Sequence, residues 1–200
     1  MVAKKNRKRK KAYNPQRVVG NFFEPIVMNI FQLAKSDSED KPDLVSPDGS
    51  FYMEVKASSF KNGGVVKANQ LWRYDQKINA RRFYAFPFHL ATDIQDNYHT
   101  ARALRQALSL RSLYIMPFSV VRAYFQVTNK KQYPYGADSF VLMRESLANK
   151  IFTGEREVWD KLGLDKREYK MTQPHGRVYL ITRNGNLENE LLASFHPEFV

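Results

Sequence analysis

Residues 41–74, KPDLVSPDGSFYMEVKASSFKNGGVVKANQLWRY, decide how the rest of the chain is read. Pro47-Asp48-Gly49-Ser50 is a turn signal between two apolar runs, Leu44-Val45 and Phe51 to Val55, and predicts a hairpin. Side chains alternate faces along a strand. Phe51, Met53, Val55 and Ala57 therefore point towards a core, while Tyr52, Glu54, Lys56 and Ser58 share the other face. Asp43 stands at the mouth of the partner strand, where the hairpin brings its carboxylate towards Glu54.

The chemistry of that cluster is specific. Two carboxylates on adjoining strands offer hard oxygen ligands suited to Mg²⁺ or Mn²⁺. Such an ion lowers the pKa of a bound water and offsets charge developing on a phosphate. A lysine beside it supplies a point charge for the phosphate or the attacking water. Carboxylate, carboxylate and lysine are the minimal parts for hydrolysing a phosphodiester. The pattern Asp/Glu-x-Lys is common: with about a quarter of residues charged, roughly one match per 100 to 200 positions is expected. This chain has four, Glu39-Asp40-Lys41, Glu54-Val55-Lys56, Asp75-Gln76-Lys77 and Glu168-Tyr169-Lys170. Only Glu54-Val55-Lys56 closes an alternating apolar run one turn after a Pro-Asp strand. The competing reading makes Asp43 a turn-flanking acceptor and Glu54–Lys56 an ordinary ion pair on a solvated strand, worth little.

Pro42-Asp43 followed by Glu54-Val55-Lys56 resembles the PD-(D/E)XK nuclease superfamily. Gln70-Leu71-Trp72-Arg73-Tyr74 is similar to the Gln-x-x-x-Tyr motif of one branch, which includes exonuclease domains of recombination helicase-nucleases, phage exonucleases and CRISPR-associated nucleases. The compact hairpin is also similar to that of archaeal Holliday-junction resolvases. The resemblance spans about residues 17–120. It implies an α/β fold with an αβββαβ restriction-endonuclease-like core, its mixed sheet flanked by helices. It implies Mg²⁺ or Mn²⁺ as cofactor and Asp43, Glu54 and Lys56 as the catalytic set, with Gln70 and Tyr74 lining the site. It further implies metal contacts from Asp43, Glu54, the Val55 carbonyl and, through the first helix, Glu24.

Composition narrows the function classes. There is no cysteine, which excludes a disulfide scaffold, thiol catalysis and Cys-ligated zinc, and fits a reducing, intracellular compartment, cytoplasmic or nucleoid-associated. No apolar run approaches the ~20 residues that span a bilayer, and no apolar segment follows the basic N-terminus, so neither a membrane span nor a secretory signal is expected. The net charge is +12, and residues 1–12 hold seven Lys or Arg with no acid, leaving +5 for the remainder. Lys4, Lys5, Arg7, Lys8, Arg9, Lys10 and Lys11 form a like-charge block expected to be disordered when free. As an arm tracking a nucleic-acid backbone it would give strongly salt-dependent affinity; the plain alternative is a solubilising or targeting tail.

The chain divides into this arm (1–16), a core (17–127) and a C-terminal elaboration packed on it (128–200). Helical spacing runs from Arg17 to Leu33. Pro25 marks either the first turn of a helix starting near Phe23, which would put Glu24 near an N-terminus, or a kink. Lys61 to Gly64 is a loop, and Ala68 to Arg81 reads as one helix with Gln70 and Tyr74 on one face. Arg73, Lys77 and Arg81 on it are candidate nucleic-acid contacts, with Trp72 and Arg82 completing a basic, aromatic margin. Arg82 to Leu90 reads as a strand that Pro87 assigns to an edge or bulge. A helix over Tyr98–Ser109, one strand or two over Leu113–Phe125, helices over Phe140–Ile151 and Glu155–Leu164, and a strand over Arg177–Thr182 before a turn at Arg183–Asn186 complete the reading. His89 and His99, isolated from any partner at ligand spacing, carry no role.

These readings converge on a metal-dependent DNA nuclease of recombination, repair or mobile-element processing, a possible homodimer, with RNA as substrate left open. Endonuclease or junction resolvase is favoured over exonuclease. The other class is a nucleic-acid-binding or packaging subunit that does not cut.

Overall fold

Ser46 to Ser50 form the turn that the hairpin requires. The Gly49 amide donates to the Ser46 carbonyl at 2.8 Å, and Asp48 accepts from the Ser50 amide and the Ser46 hydroxyl. These bonds hold the Asp48 carboxyl down at about 2, the Ser50 amide contributing most, so Asp48 is a turn residue. Gly49 takes the positive φ, +69°, that the turn needs. The computed structural model describes residues 13–38, 40–132, 134–184 and 187–200. The basic arm from Lys4 to Lys11 lies outside the described residues, as do Gly185 and Asn186 of the expected turn.

In chain order the elements are α1 (Pro15–Ile30), β1 (Ala34–Lys35), β2 (Leu44–Val45), β3 (Tyr52–Val55), β4 (Ser58–Ser59), β5 (Gly64–Lys67), α2 (Ala68–Trp72), α3 (Gln76–Ala80) and β6 (Arg82–His89). There follow α4 (Ile94–Asn97), α5 (Ala101–Ala107), β7 (Leu110–Pro117), α6 (Phe118–Thr128), β8 (Phe140–Met143), α7 (Glu145–Thr153), α8 (Arg156–Leu162), β9 (Tyr169–His175), β10 (Val178–Arg183) and α9 (Glu188–Ala193).

The main sheet has the order β1-β2-β3-β6-β7-β10-β9. Pairing is parallel at β3–β6 and β7–β10 and antiparallel elsewhere along that path, and β4 runs parallel to β6 beyond the end of β3. The protein is thus α/β, with a mixed sheet between helical layers. One face (Phe51, Met53, Phe83, Ala85, Ile115, Leu180) packs under α1 through Val27 and Ile30, and under Leu191 of α9. The other face (Tyr84, Phe86, Tyr114, Met116) packs under α6, α7 and α8. Residues 169–183 complete the main sheet, and β8 pairs with β5 in a small second sheet, so the C-terminal part of the chain is built into both. No helix among the described residues is long and apolar enough to cross a membrane.

Several elements differ from the sequence expectation for identifiable reasons. Helix α1 starts at Pro15, not near Phe23. Asn14 caps it by accepting from the Arg17 amide, and Pro15 occupies the first turn, where no amide is needed. Pro25 is carried inside the helix on its exposed side, so Glu24 lies mid-helix and not at an N-terminus. The helix expected over Ala68–Arg81 is two, because Asp75 caps a fresh start by accepting from the Ile78 amide. Leu113–Phe125 is strand then helix: Pro117 ends β7 and α6 begins at the next residue. Phe140–Ile151 is likewise strand then helix, and β9 was not foreseen. Its partner β10 supplies a ladder that the polar, alternating run Tyr169–His175 does not advertise.

The largest departure is β6. It is buried throughout and central, although it contains Pro87. The Ala85 and His89 carbonyls accept from the Lys56 and Phe60 amides at 2.8 and 3.1 Å. Pro87 lies between them on the same strand edge and faces the gap between β3 and β4, so the one amide that the ladder goes without falls where pairing is already interrupted.

Gly64 closes the loop after β4 with its Cα tight against the hairpin. A Cβ there would come 2.6 Å from the Lys56 carbonyl oxygen and 2.9 Å from Phe86. Gly64→Ala is therefore expected to destabilise the protein by about 1–3 kcal/mol, measured by urea denaturation. An unchanged midpoint would show that the loop gives way freely.

Candidate active site

The register of the hairpin sets the site. Leu44 pairs with Met53, so the residue before Leu44, Asp43, comes level with Glu54. Its Oδ2 accepts the Val55 amide at 2.9 Å, in place of the ladder bond that β2 would supply. A strand residue presents its N–H and C=O to the same edge, so the Val55 carbonyl lies on the Asp43 side of β3.

Glu54 faces the layer opposite Phe51 and Met53, level with Tyr84 of β6. It is only 2% exposed. Lys56 Nζ donates to its Oε1 at 2.6 Å, Gln70 Nε2 reaches the same oxygen at 3.3 Å, and the Tyr74 hydroxyl lies 3.5 Å from Oε2. The Tyr74 hydroxyl also donates to the Lys41 carbonyl at 3.1 Å, which ties the approach to Asp43 to the same tyrosine. Gln70 and Tyr74 thus meet at Glu54 although the helix between them breaks. The competing reading of a solvated ion pair fails on burial: the Glu54 and Lys56 side chains are 3% and 15% exposed.

A residue that the motifs do not mark completes the charge balance. Arg82 opens β6 and is 1% exposed. It donates to the Gln70 carbonyl and the Tyr84 hydroxyl, and its guanidinium lies against the Tyr74, Tyr84 and Phe118 rings. It is not on a helix margin facing solvent. Burial lowers its pKa, while the phenols and Glu54 oppose that shift. The available signal was its place in β6: even-numbered residues of Arg82–His89 share the Glu54 face.

The electrostatics follow from burial. The Asp43 carboxyl is raised to about 6, chiefly by burial and next by the charge of Glu54, with Lys56 and the Val55 amide opposing. Glu24 adds a smaller push in the same direction. Burial, followed by Glu54, pushes the Tyr74 phenol up to about 12.

Glu24 borders the same cleft but is held by Lys35 of β1 at 2.8 Å. Arg73 is paired with Asp40. Arg81 is committed to the hairpin, donating to the Gly49 carbonyl at 3.0 Å and lying over the Tyr52 ring. Lys77 is exposed on α3.

Glu24, Lys41, Asp43, Glu54, Gln70 and Tyr74 line a cleft of about 620 Å³. Among the described residues, no three His, Cys, Asp or Glu side chains lie close enough together to ligate one ion. The donor set nevertheless suits a small hard cation, because Mg²⁺ keeps several waters and takes only one or two protein carboxylates alongside substrate phosphate. Asp43 and Glu54 would be those two, and a cation there would offset the burial and the Glu54 charge that together raise the Asp43 pKa. No protein-family model matches the chain, and neither a curated protein nor a solved structure matches it.

Proposed function

We propose that this protein is a metal-dependent nuclease of the PD-(D/E)XK type that hydrolyses DNA phosphodiesters. The observation that carries the reading is the meeting of Asp43, Glu54 and Lys56 on one hairpin at the wall of an open cleft. The order of elements supports it too: α1 precedes the hairpin, and β6 follows parallel to β3 after a helical connection. Asp43 and Glu54 would hold the metal, with the Val55 carbonyl and, through water, Glu24 as further ligands. When bound, Mg²⁺ or Mn²⁺ supplies Lewis acidity at the phosphate and an acidified water. Lys56 orients the attacking water and faces the charge that grows on the phosphate. Gln70 and Tyr74 hold Glu54 in place, and Arg82 balances it from beneath. The arm at Lys4–Lys11 adds sequence-independent affinity. Cutting both strands of a duplex or junction calls for two such sites, hence a homodimer, and favours an endonuclease or junction resolvase over an exonuclease.

A second reading, a nucleic-acid-binding or packaging subunit that does not cut, is favoured by one observation. Lys56 Nζ is already closed on Glu54 at 2.6 Å. The two readings separate in a cleavage assay. Wild type and Asp43→Ala are incubated with labelled linear duplex, single strand, flap and four-way junction in Mn²⁺, Mg²⁺ or EDTA. Metal-dependent cutting by wild type, lost in Asp43→Ala, is expected. Binding without cutting in any metal would leave the second reading standing.

A further inference from the structure

Lys56 stands between two clefts of different character. The cleft on the Asp43–Glu54 side carries four carboxylates, Glu24, Asp37, Asp43 and Glu54, beside Lys35, Lys41 and Arg73. The other, of about 750 Å³, opens past Val55 between the β3–β4 gap and the β5–β8 sheet. Its cations are Lys56, Lys61, Lys67 and Arg144, and among the described residues no Asp or Glu lines it. Lys61, Lys67 and Arg144 are exposed, and none forms an ion pair with a described carboxylate. Three unpaired cations around one concavity repel one another unless an anion lies between them. Exposed Val65, with Ile94 and Leu142, adds apolar surface to the same walls. A ligand matching this lining carries regularly spaced negative charge and flat apolar groups.

We propose that the Lys61–Lys67–Arg144 cleft is the track for one strand of nucleic acid, holding the phosphates that flank the one presented to Asp43 and Glu54. This placement rests on the nuclease reading for the identity of the reacting phosphate. The cleft has the volume of a small-molecule site. That suits a short length of a single strand, whereas a duplex presents a major groove alone about 12 Å wide. A duplex end or junction arm would reach it only with its strands parted. Lys56 then links the two clefts: it lines the track, and its Nζ donates to Glu54, which lines the other. The buried His89 at the floor is not one of the cations, because burial holds its pKa down at about 4.

The test is equilibrium binding of a fluorescein-labelled single strand to the full chain, in EDTA so that nothing is cut, across a range of salt. One variant carries Lys61→Ala, Lys67→Ala and Arg144→Ala. A second carries Arg156→Ala, Lys161→Ala and Arg167→Ala, which removes equal charge from α8 and the turn after it. Each phosphate contact contributes about 0.7 to the slope of log K against log salt for a single strand, so the first variant should flatten that slope by about 2. The second should leave it unchanged. Equal flattening in both variants, no flattening in either, or flattening confined to a duplex probe would overturn the track. Failure of the nuclease reading looks different: the slope responds as expected, but wild type cuts no substrate in Mg²⁺ or Mn²⁺. Circular dichroism of both variants confirms that the fold is kept.

Discussion

Glu54→Gln should lower the melting temperature by on the order of 10 °C, whereas Asn in place of the neighbouring Asp43 should raise it. The contrast follows from which charges are buried together. Glu54 is the negative member of a cluster whose cations, Lys56 and Arg82, are themselves withdrawn from water. Removing one partner from a buried ionic group typically costs about 3–5 kcal/mol, because the other charge stays behind unpaired. In a chain of this size each kcal/mol moves the midpoint by about 2–4 °C. Asp43 is the opposite case. Its folded pKa of about 6 lies above the ordinary carboxyl value of 3.8, so between these values the folded state binds the proton more tightly than the unfolded state. Stability therefore falls as pH rises through that window and stays lower above it. Two units correspond to at most about 3 kcal/mol, with less realised where water reaches the group. Asn at position 43 keeps an acceptor for the Val55 amide without the charge. In EDTA at pH 7.5 it should melt a few degrees above wild type, and below pH 4 the gain should vanish. Thermal melts of both variants at the two pH values decide the matter. If Asp43→Asn melts no higher than wild type at pH 7.5, burial of that carboxylate is not what raises its pKa.

Lys56→Gln should reduce the single-turnover cleavage rate by about 10²–10⁴, the range found when a positioned acid–base or electrostatic group is removed. Gln retains a donor for Glu54 Oε1 but neither the charge nor the reach. Single-strand affinity in EDTA should change far less, because the other three cations of the track remain. A loss in rate without a comparable loss in binding places Lys56 in the reaction. A loss below tenfold would assign the lysine to balancing Glu54 and nothing more. Rates are read well below the melting temperature of the variant, since Lys56→Gln also removes a buried charge.

The hairpin was legible in the sequence because every signal in it is local. The turn residues, the alternation from Phe51 to Val55 and the offset of Asp43 fix the register without help from distant chain. Gln70 and Tyr74 were singled out by the Gln-x-x-x-Tyr resemblance together with their i, i+4 spacing, although the helix ends at Trp72, between them. Arg82 was not identified, since its burial depends on β6 lying at the centre of the sheet, and the proline within β6 argued for an edge. The two strand-to-helix switches were missed for a related reason. In Leu113–Phe125 and Phe140–Ile151 a short apolar strand runs straight into an amphipathic helix, and a continuous apolar run of four to eight residues cannot be told from a buried helix segment by periodicity alone. The cation-lined cleft is assembled from residues 16 to 144, and no window of sequence contains it.

Pro87 has one more consequence. Any other residue there would bring a buried amide to the gap between β3 and β4, and an unpaired buried donor costs about 1–3 kcal/mol. The chain would be pressed to zip β3 straight on into β4, drawing Ala57 into the ladder beside Lys56, whose amide already bonds to Ala85. Proline removes that demand, so the central strand is joined on one side in two separate lengths, with a joint between them. On one side of the joint lie the carboxylates, fixed by the hairpin. On the other lie β4 and the loop leading to β5, whose position is set by β8. The two halves of the proposed site therefore meet at a backbone position that offers no amide to tie them together, and a strand of varying shape can be accommodated on the second with less strain on the first.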